Sequence, residues 1–146
     1  MKSLLEQFWK WIDLTPLQYA QTHLDQKSGV YEDQFPYMEN LRSYAKEIVD
    51  KGILTNECLD DLLTIMAIDN ESEDTLDYIT KNGSDKQIEK IARIGTTHLQ
   101  PHARWQTAEL ICRRNLNNCM DLLLILSNDE DQYVKKRAVN CINALN

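Results

Sequence analysis

Glycine and proline are scarce, with four and three in 146 residues. No glycine-rich phosphate loop is present, and no stretch reads as low complexity. Nothing alternates with the two-residue period of a strand. Neither an H-E-x-x-H nor a G-x-S-x-G pattern occurs. Ser, His and Asp never fall at a spacing that marks a hydrolytic triad. The four cysteines, Cys58, Cys112, Cys119 and Cys141, include no C-x-x-C pair. Neither a structural metal, a disulfide nor a cofactor is therefore expected. Met1 to Thr15 holds no uninterrupted apolar run, so neither a secretion signal nor a membrane span is expected there. Lys2 and Lys10 stand against Glu6 and Asp13, too few bases to draw Phe8, Trp9 and Trp11 to an anionic lipid surface. A cytoplasmic protein with reduced thiols is the expectation.

One further absence concerns charge. Between Lys51 and Lys81 there is no Lys or Arg, yet eight acids occur: Glu57, Asp60, Asp61, Asp69, Glu71, Glu73, Asp74 and Asp77. The whole chain carries a formal charge of −7. Residues 1–99 hold 18 acids against 10 bases, and residues 100–146 hold 5 against 6. An acidic segment repels phosphate and steers a basic partner by long-range attraction. It also serves as a solvated face that keeps a chain soluble.

What is present is a dense series of helix signals. A hydrophobic share of 42% with 27% charged residues fits a globular chain, and the length fits one domain spanning 1–146. Ser3 and Glu6 make a capping box ahead of Leu5, Phe8 and Ile12. Thr15, Pro16 and Gln18 supply a cap, a first-turn proline and a box partner. Leu17, Ala20 and Leu24 line that second helix, which should stop near Gly29. Residues 28–36 read as the longest loop. Pro36 opens a helix with Met38, Leu41, Ala45 and Ile48 on one face, closed by Gly52.

Beyond this N-terminal portion, 1–52, the sequence repeats. Leu62-Leu63-Thr64-Ile65-Met66-Ala67-Ile68-Asp69 returns as Leu122-Leu123-Leu124-Ile125-Leu126-Ser127-Asn128-Asp129, and Ile91-Ala92-Arg93-Ile94-Gly95 is a weaker copy between them. A period of about 30 predicts three helix pairs over 53–146. Thr55 caps a helix with Leu59, Leu62, Leu63 and Met66 inward. Ser72 caps its partner, which carries Leu76 and Ile79 and ends at Gly83. Ser84 and Gln87 box the next helix, with Ile88, Ile91, Ala92 and Gly95. Pro101 opens the following one. The helix from Met120 to Leu126 is apolar on nearly every side and should be the most buried. The last helix carries Val134, Ala138, Cys141, Ile142 and Leu145 at helical spacing.

The second helices of the last two pairs also align. Ala103-Arg104, Thr107-Ala108 and Leu110-Ile111 match Val134-Lys135, Ala138-Val139 and Cys141-Ile142. With Asp129 and Asp131 in the turn before Val134-Lys135, this stretch resembles a HEAT repeat, and the resemblance spans roughly 55–146. It implies an all-α, right-handed array of about eight or nine helices. It also implies that the basic residue after the valine and the turn aspartates tie adjacent repeats together. In 55–83 the pattern departs, with Glu73 near the expected basic position.

Several constellations bear on chemistry. His98 and His102 are four apart, as zinc ligands on one helix would be, but Pro101 between them breaks the helix. Asp69 to Asp74 resembles the start of an EF-hand, yet its sixth and twelfth positions are Asp74 and Thr80 instead of Gly and Glu. Trp105 and Glu109, at i and i+4, could act as the aromatic and the acid of a helical-repeat DNA glycosylase, but that enzyme needs a basic groove. Arg104, Arg113, Arg114, Lys135, Lys136 and Arg137 make the C-terminal end locally basic, nearly cancelled by Glu109, Asp121, Asp129, Glu130 and Asp131, so nucleic acid is a poor fit. The expectation is a non-catalytic module binding a basic protein, comparable with immunity proteins that neutralise nuclease toxins. Its expected contact residues are Asp60, Asp61, Asp69, Glu71, Glu73, Asp74 and Asp77, with Tyr31 and Phe35 as aromatic anchors. A scaffold or adaptor holding a peptide is the other non-enzymatic reading.

Overall fold

The computed structural model describes residues 2–22 and 30–145, with side chains from Leu4 onward. Leu24, Gly29 and the side chain of Ser3 lie outside that description. Among the described residues there are nine α-helices and no strand. They are α1 (Lys2–Ile12), α2 (Pro16–Ala20), α3 (Met38–Asp50), α4 (Asn56–Ile68), α5 (Asp74–Asn82), α6 (Asp85–Gly95), α7 (Pro101–Arg114), α8 (Met120–Leu126) and α9 (Gln132–Leu145). None is long and apolar enough to cross a membrane.

The local signals are realised in detail. Thr15 accepts the Gln18 N–H while Gln18 returns to the Thr15 N–H, closing the box on α2. Thr55 and Ser84 cap α4 and α6 through the N–H groups of Cys58 and Gln87. Gly52 has φ +62°, and the N–H groups of Gly52 and Ile53 bond the carbonyls of Val49 and Ile48. That is a Schellman ending of α3. The same pair of bonds closes α1 at Asp13 and α7 at Asn115, where non-glycine residues hold the left-handed turn.

The helices touch in two series. Helices α3, α5, α7 and α9 pack each on the next, with α7 against α9 the most extensive contact. Helix α4 packs on α6 and also on α3, α5 and α7, and α6 packs on α7. Gly95 lets α6 and α7 meet: a Cβ there would stand 2.1 Å from Thr107 Oγ1. Helix α4 is the centre of the core, with Leu59, Leu62, Leu63, Ile65, Met66, Ala67 and Ile68 all buried.

Four expectations change. Helix α8 is not the most buried: Leu122, Leu123 and Leu126 are inside, but Leu124 and Ile125 are 59% and 55% exposed. Ile65, which the repeat aligns with Ile125, is fully buried because α4 is packed on several sides while α8 is not. Leu17 is exposed, and Tyr19 is the residue that α2 buries. Ile142 is half-buried. Ser72 does not cap α5; its hydroxyl donates to Asp69, and Asp69 Oδ2 accepts the Thr75 N–H at 2.9 Å. A carboxylate six residues upstream thus replaces the expected local cap, because the chain turns back through Glu73 at φ 55°.

Asp69 and Asp129 each bind an arginine of another helix, whereas Asp131 caps α9 through the N–H groups of Tyr133 and Val134. Asp69 is buried and accepts from Arg42 Nε at 3.0 Å and Nη2 at 2.7 Å. Asp129 takes Arg104 Nε at 2.9 Å and Nη2 at 3.2 Å. Arg104 also donates to the carbonyls of His98 and Leu99, joining one inter-helix turn to the next.

Removing one partner of a buried ion pair strands the other. Asp69→Ala is expected to cost ~3–5 kcal/mol in chemical denaturation, more than Asp129→Ala, whose carboxylate caps fewer groups. Leu123→Ala should cost ~2–5 kcal/mol, whereas Leu124→Ala next to it should stay within about 0.5 kcal/mol, as exposed positions do.

Candidate binding clefts

The acids that cluster in sequence separate in space. Asp60 and Asp61 lie on the outer part of α4, facing α1 and the turn before α7. Glu71 and Glu73 lie in the turn between α4 and α5, beside α7 and α9. Two clefts result, one at each group.

The larger cleft, about 780 Å³, is drawn by residues from four places in the chain. Tyr19 comes from α2, Glu71 and Glu73 from the α4–α5 turn, His102 and Trp105 from α7, and Asp131, Tyr133 and Arg137 from α9 and the turn before it. Arg137 lies over the Trp105 ring at 4.4 Å and the Tyr133 ring at 5.5 Å. Glu109 holds that guanidinium at 2.6 Å. The Trp105 indole donates to His102 Nδ1 at 2.9 Å. The aromatic floor is thereby locked before any partner arrives. Glu71 stands exposed at the rim, and Glu73 pairs with Arg113 at 3.2 Å.

The smaller cleft, about 260 Å³, lies between α1, α4 and the turn leading into α7. Glu6, Trp9, Asp60, Asp61, His98 and Gln100 contribute to its lining. His98 Nδ1 accepts the Gln100 N–H at 3.0 Å, so the ring proton sits on Nε2, which faces Asp60 at 3.0 Å. That hydrogen bond lowers the Asp60 pKa. Both ring nitrogens are occupied, which removes His98 from service as a general base or a metal ligand. Among the described residues no group of three His, Cys, Asp or Glu stands where it could hold a metal ion. Asp61 differs from Asp60: burial raises its pKa, against the counteracting hydrogen bond from the Tyr44 hydroxyl at 3.2 Å.

The remaining expected contact residues divide sharply. Asp69 is interior and spent on Arg42, Ser72 and Thr75. Asp74 meets Lys46 at 3.4 Å, and Asp77 meets Arg113 at 2.9 Å. The segment without bases is therefore neutralised in part by α3 and α7. Tyr31 is exposed, but Phe35 is buried against Phe8 and Trp11 with ring centroids at 5.3 and 5.4 Å. The loop folds back on α1 because Glu32, itself buried, takes the Tyr19 hydroxyl at 2.6 Å and the Asn70 amide at 3.1 Å. Phe35 is thus core, not an anchor for a partner.

All four thiols are free; burial raises the pKa of Cys119, and burial with nearby Glu109 pushes Cys141 up to about 12. Sequence reasoning missed the buried glutamines. Gln87, Gln100 and Gln106 each donate Nε2 to a main-chain carbonyl: Ile48 and Ile53 for Gln87, Pro16 for Gln100, Met66 and His102 for Gln106. Gln87 alone carried a signal, its place in a capping box, and its side chain serves the end of α3 instead.

Because the Asp61 carboxyl titrates higher folded than unfolded, its ionisation opposes folding at neutral pH. Asp61→Asn should raise the melting temperature at pH 7. The gain should shrink as pH falls below the raised folded pKa and vanish below the ordinary value of 3.8, where both states are protonated. Thermal melts across pH 3–7 check this. Comparison of the chain with family models, curated proteins and solved structures found no match.

Proposed function

We propose that this protein is a non-catalytic binding module, built as a HEAT-like array of helix pairs, that takes a basic segment of a partner protein in the larger cleft. The observation that carries this is the rim of that cleft. Glu71, Glu73 and Asp131 stand around Tyr133; among the described lining residues Arg137 is already balanced by Glu109, and Glu73 by Arg113. A Lys or Arg side chain gains the exposed Glu71 carboxylate and the exposed Tyr133 ring together. The field speeds association with such a partner and is screened over ~8–10 Å at ordinary salt. An inhibitor of a basic toxin, an immunity protein in function, fits that chemistry. A scaffold that holds a basic peptide uses the same cleft.

The HEAT-like reading is supported by the two arginine–aspartate ties and by the serial contacts of α3, α5, α7 and α9. Lys135, the corresponding base of the last pair, is exposed. Nucleic-acid binding is disfavoured by the fate of the arginines. Arg104, Arg113, Arg114 and Arg137 are engaged by Asp129, by Glu73 and Asp77, by Asp85 and by Glu109. Paired bases release few counterions on meeting phosphate. The glycosylase-like pair is disfavoured as well: Trp105 is buried and Glu109 is held by Arg113 and Arg137.

Selection from a displayed random-peptide library is the direct test. Enriched sequences should carry Lys or Arg beside an apolar residue. Their binding should weaken by at least ~10-fold with Glu71→Lys, and should weaken with added salt. Enrichment of acidic peptides, or of basic ones indifferent to Glu71→Lys and Glu73→Lys, would overturn the reading.

A further inference from the structure

Cys112 and Cys141 are 29 residues apart in the chain, too far for sequence spacing to pair them. The fold brings them together. They lie on α7 and α9, the two helices with the most extensive contact. The Cys141 Sγ is buried; it donates to the Ala108 carbonyl at 3.5 Å and stands 3.9 Å from Glu109 Oε1. Ala108 and Glu109 are one turn ahead of Cys112 on α7. A helical side chain points back over the turn N-terminal to it, so the Cys112 side chain covers the same patch of α7. The two thiols meet there, and a hydrogen bond joins them. The other two thiols stand elsewhere, Cys58 beside the Tyr44 hydroxyl and Cys119 beside the Asn118 side chain.

The pair is asymmetric, and the asymmetry sets an order of reaction. Cys112 is only partly buried, so a small oxidant reaches its sulfur from solvent. Cys141 is 3% exposed, and burial together with Glu109 keeps its thiol protonated. The thiolate, not the thiol, is the nucleophile toward an oxidant, so the accessible member reacts first. A sulfenic acid formed on Cys112 then has a second thiol already against it, the arrangement in which a sulfenic acid condenses to a disulfide.

We propose that Cys112 and Cys141 are a site of oxidation by hydrogen peroxide, and that the disulfide they form fastens α9 to α7. In the first step the Cys112 thiolate attacks a peroxide oxygen. An S–O bond forms, the O–O bond breaks, and the departing hydroxide takes up the Cys112 proton as water. In the second step the Cys141 sulfur attacks the Cys112 sulfenic sulfur. An S–S bond forms and the S–O bond breaks. The Cys141 proton passes by way of Glu109 to the departing hydroxyl, which leaves as water. Two thiols lose two electrons in all, and one peroxide is reduced to two waters. The cross-link closes a loop of about 30 residues. It joins the helix that carries Trp105 to the helix that carries Arg137, and so holds that stacked pair in place. The disulfide itself does not depend on what the larger cleft binds.

The test is treatment of the intact, reduced chain with hydrogen peroxide, followed by alkylation of the remaining thiols, tryptic mass mapping and a thermal melt. Cys58 and Cys119 should be alkylated, and Cys112 and Cys141 should appear in one cross-linked peptide pair. Trypsin cuts after Arg113 and Arg137, so the two cysteines fall in separate peptides. The melting temperature should rise by at least ~5 °C and return on reduction with dithiothreitol. Cys141→Ser keeps a donor for the Ala108 carbonyl and should stop at a Cys112 sulfenic acid that dimedone traps. Cys112→Ser should leave Cys141 a free thiol, and neither variant should show the thermal shift. Glu71→Lys should form the disulfide as the unaltered chain does, which separates failure of this pair from failure of the larger cleft. Four alkylated cysteines after a peroxide dose that oxidises N-acetylcysteine would overturn the proposal. So would a Cys112 sulfinic acid without a cross-link, or a cross-link that runs to Cys58, to Cys119 or between chains. A Cys112–Cys141 disulfide that leaves the melting temperature unchanged would overturn the fastening of α9.

Discussion

The fold turns on one buried ion pair. Arg42, on α3, reaches the Asp69 carboxylate at the end of α4, and also Asp33 at 2.9 Å and the Ser72 hydroxyl at 3.0 Å. Asp69 in turn accepts the N–H and hydroxyl of Thr75 at the start of α5. Three consecutive helices and the loop before them are thus held by two side chains. A buried pair contributes little net stability over an apolar substitute, but it is intolerant of loss of either member. Its effect here is geometric: it sets how α5 leaves α4, and so where Glu71 and Glu73 stand.

The same device at Arg104 and Asp129 sets the turn before α9, which brings Asp131, Tyr133 and Arg137 to the larger cleft. Both ties lie at turns between helices, and both leave the adjoining turn residues at the surface. Tying the scaffold at these turns and exposing acids beside them are two results of one arrangement. That is why the cleft is lined from α2, the α4–α5 turn, α7 and α9 without any of these helices being distorted. The aromatic floor is made rigid by neighbours: His102 accepts from Trp105, and Glu109 orients Arg137.

The N-terminal portion does more than cover the core. Phe8 meets Tyr19 and Phe35 edge to face, at 5.9 and 5.3 Å, and Glu32 ties Tyr19 to Asn70. These contacts fix α2 against the α4–α5 turn and so complete the larger cleft. They also place α1 across α4, creating the smaller cleft with Glu6 and Trp9 as one wall. Neither cleft would exist from α4 to α9 alone.

Helices and caps were legible because they depend on neighbours three or four residues away. Thr15 with Gln18, Thr55 and Ser84 each act on their own first turn. The inward faces of α3, α4 and α6 followed from spacing alone. Contact residues were less legible, because solvent exposure depends on what packs from elsewhere. Asp69 and Glu71 are two residues apart, yet one is interior and one exposed. Phe35 and Tyr31 part in the same way. The run without a single base was real, but Arg42, Lys46 and Arg113 come to it from α3 and α7. Leu124 and Ile125 are as apolar as their neighbours and remain outside, since no described helix covers that side of α8. The sequence by itself determined the helices and their order, because helix formation and capping are local properties of the backbone. Only the tertiary structure decided which charges are spent on one another and which remain available, because Coulomb pairing and burial act between residues distant in the chain.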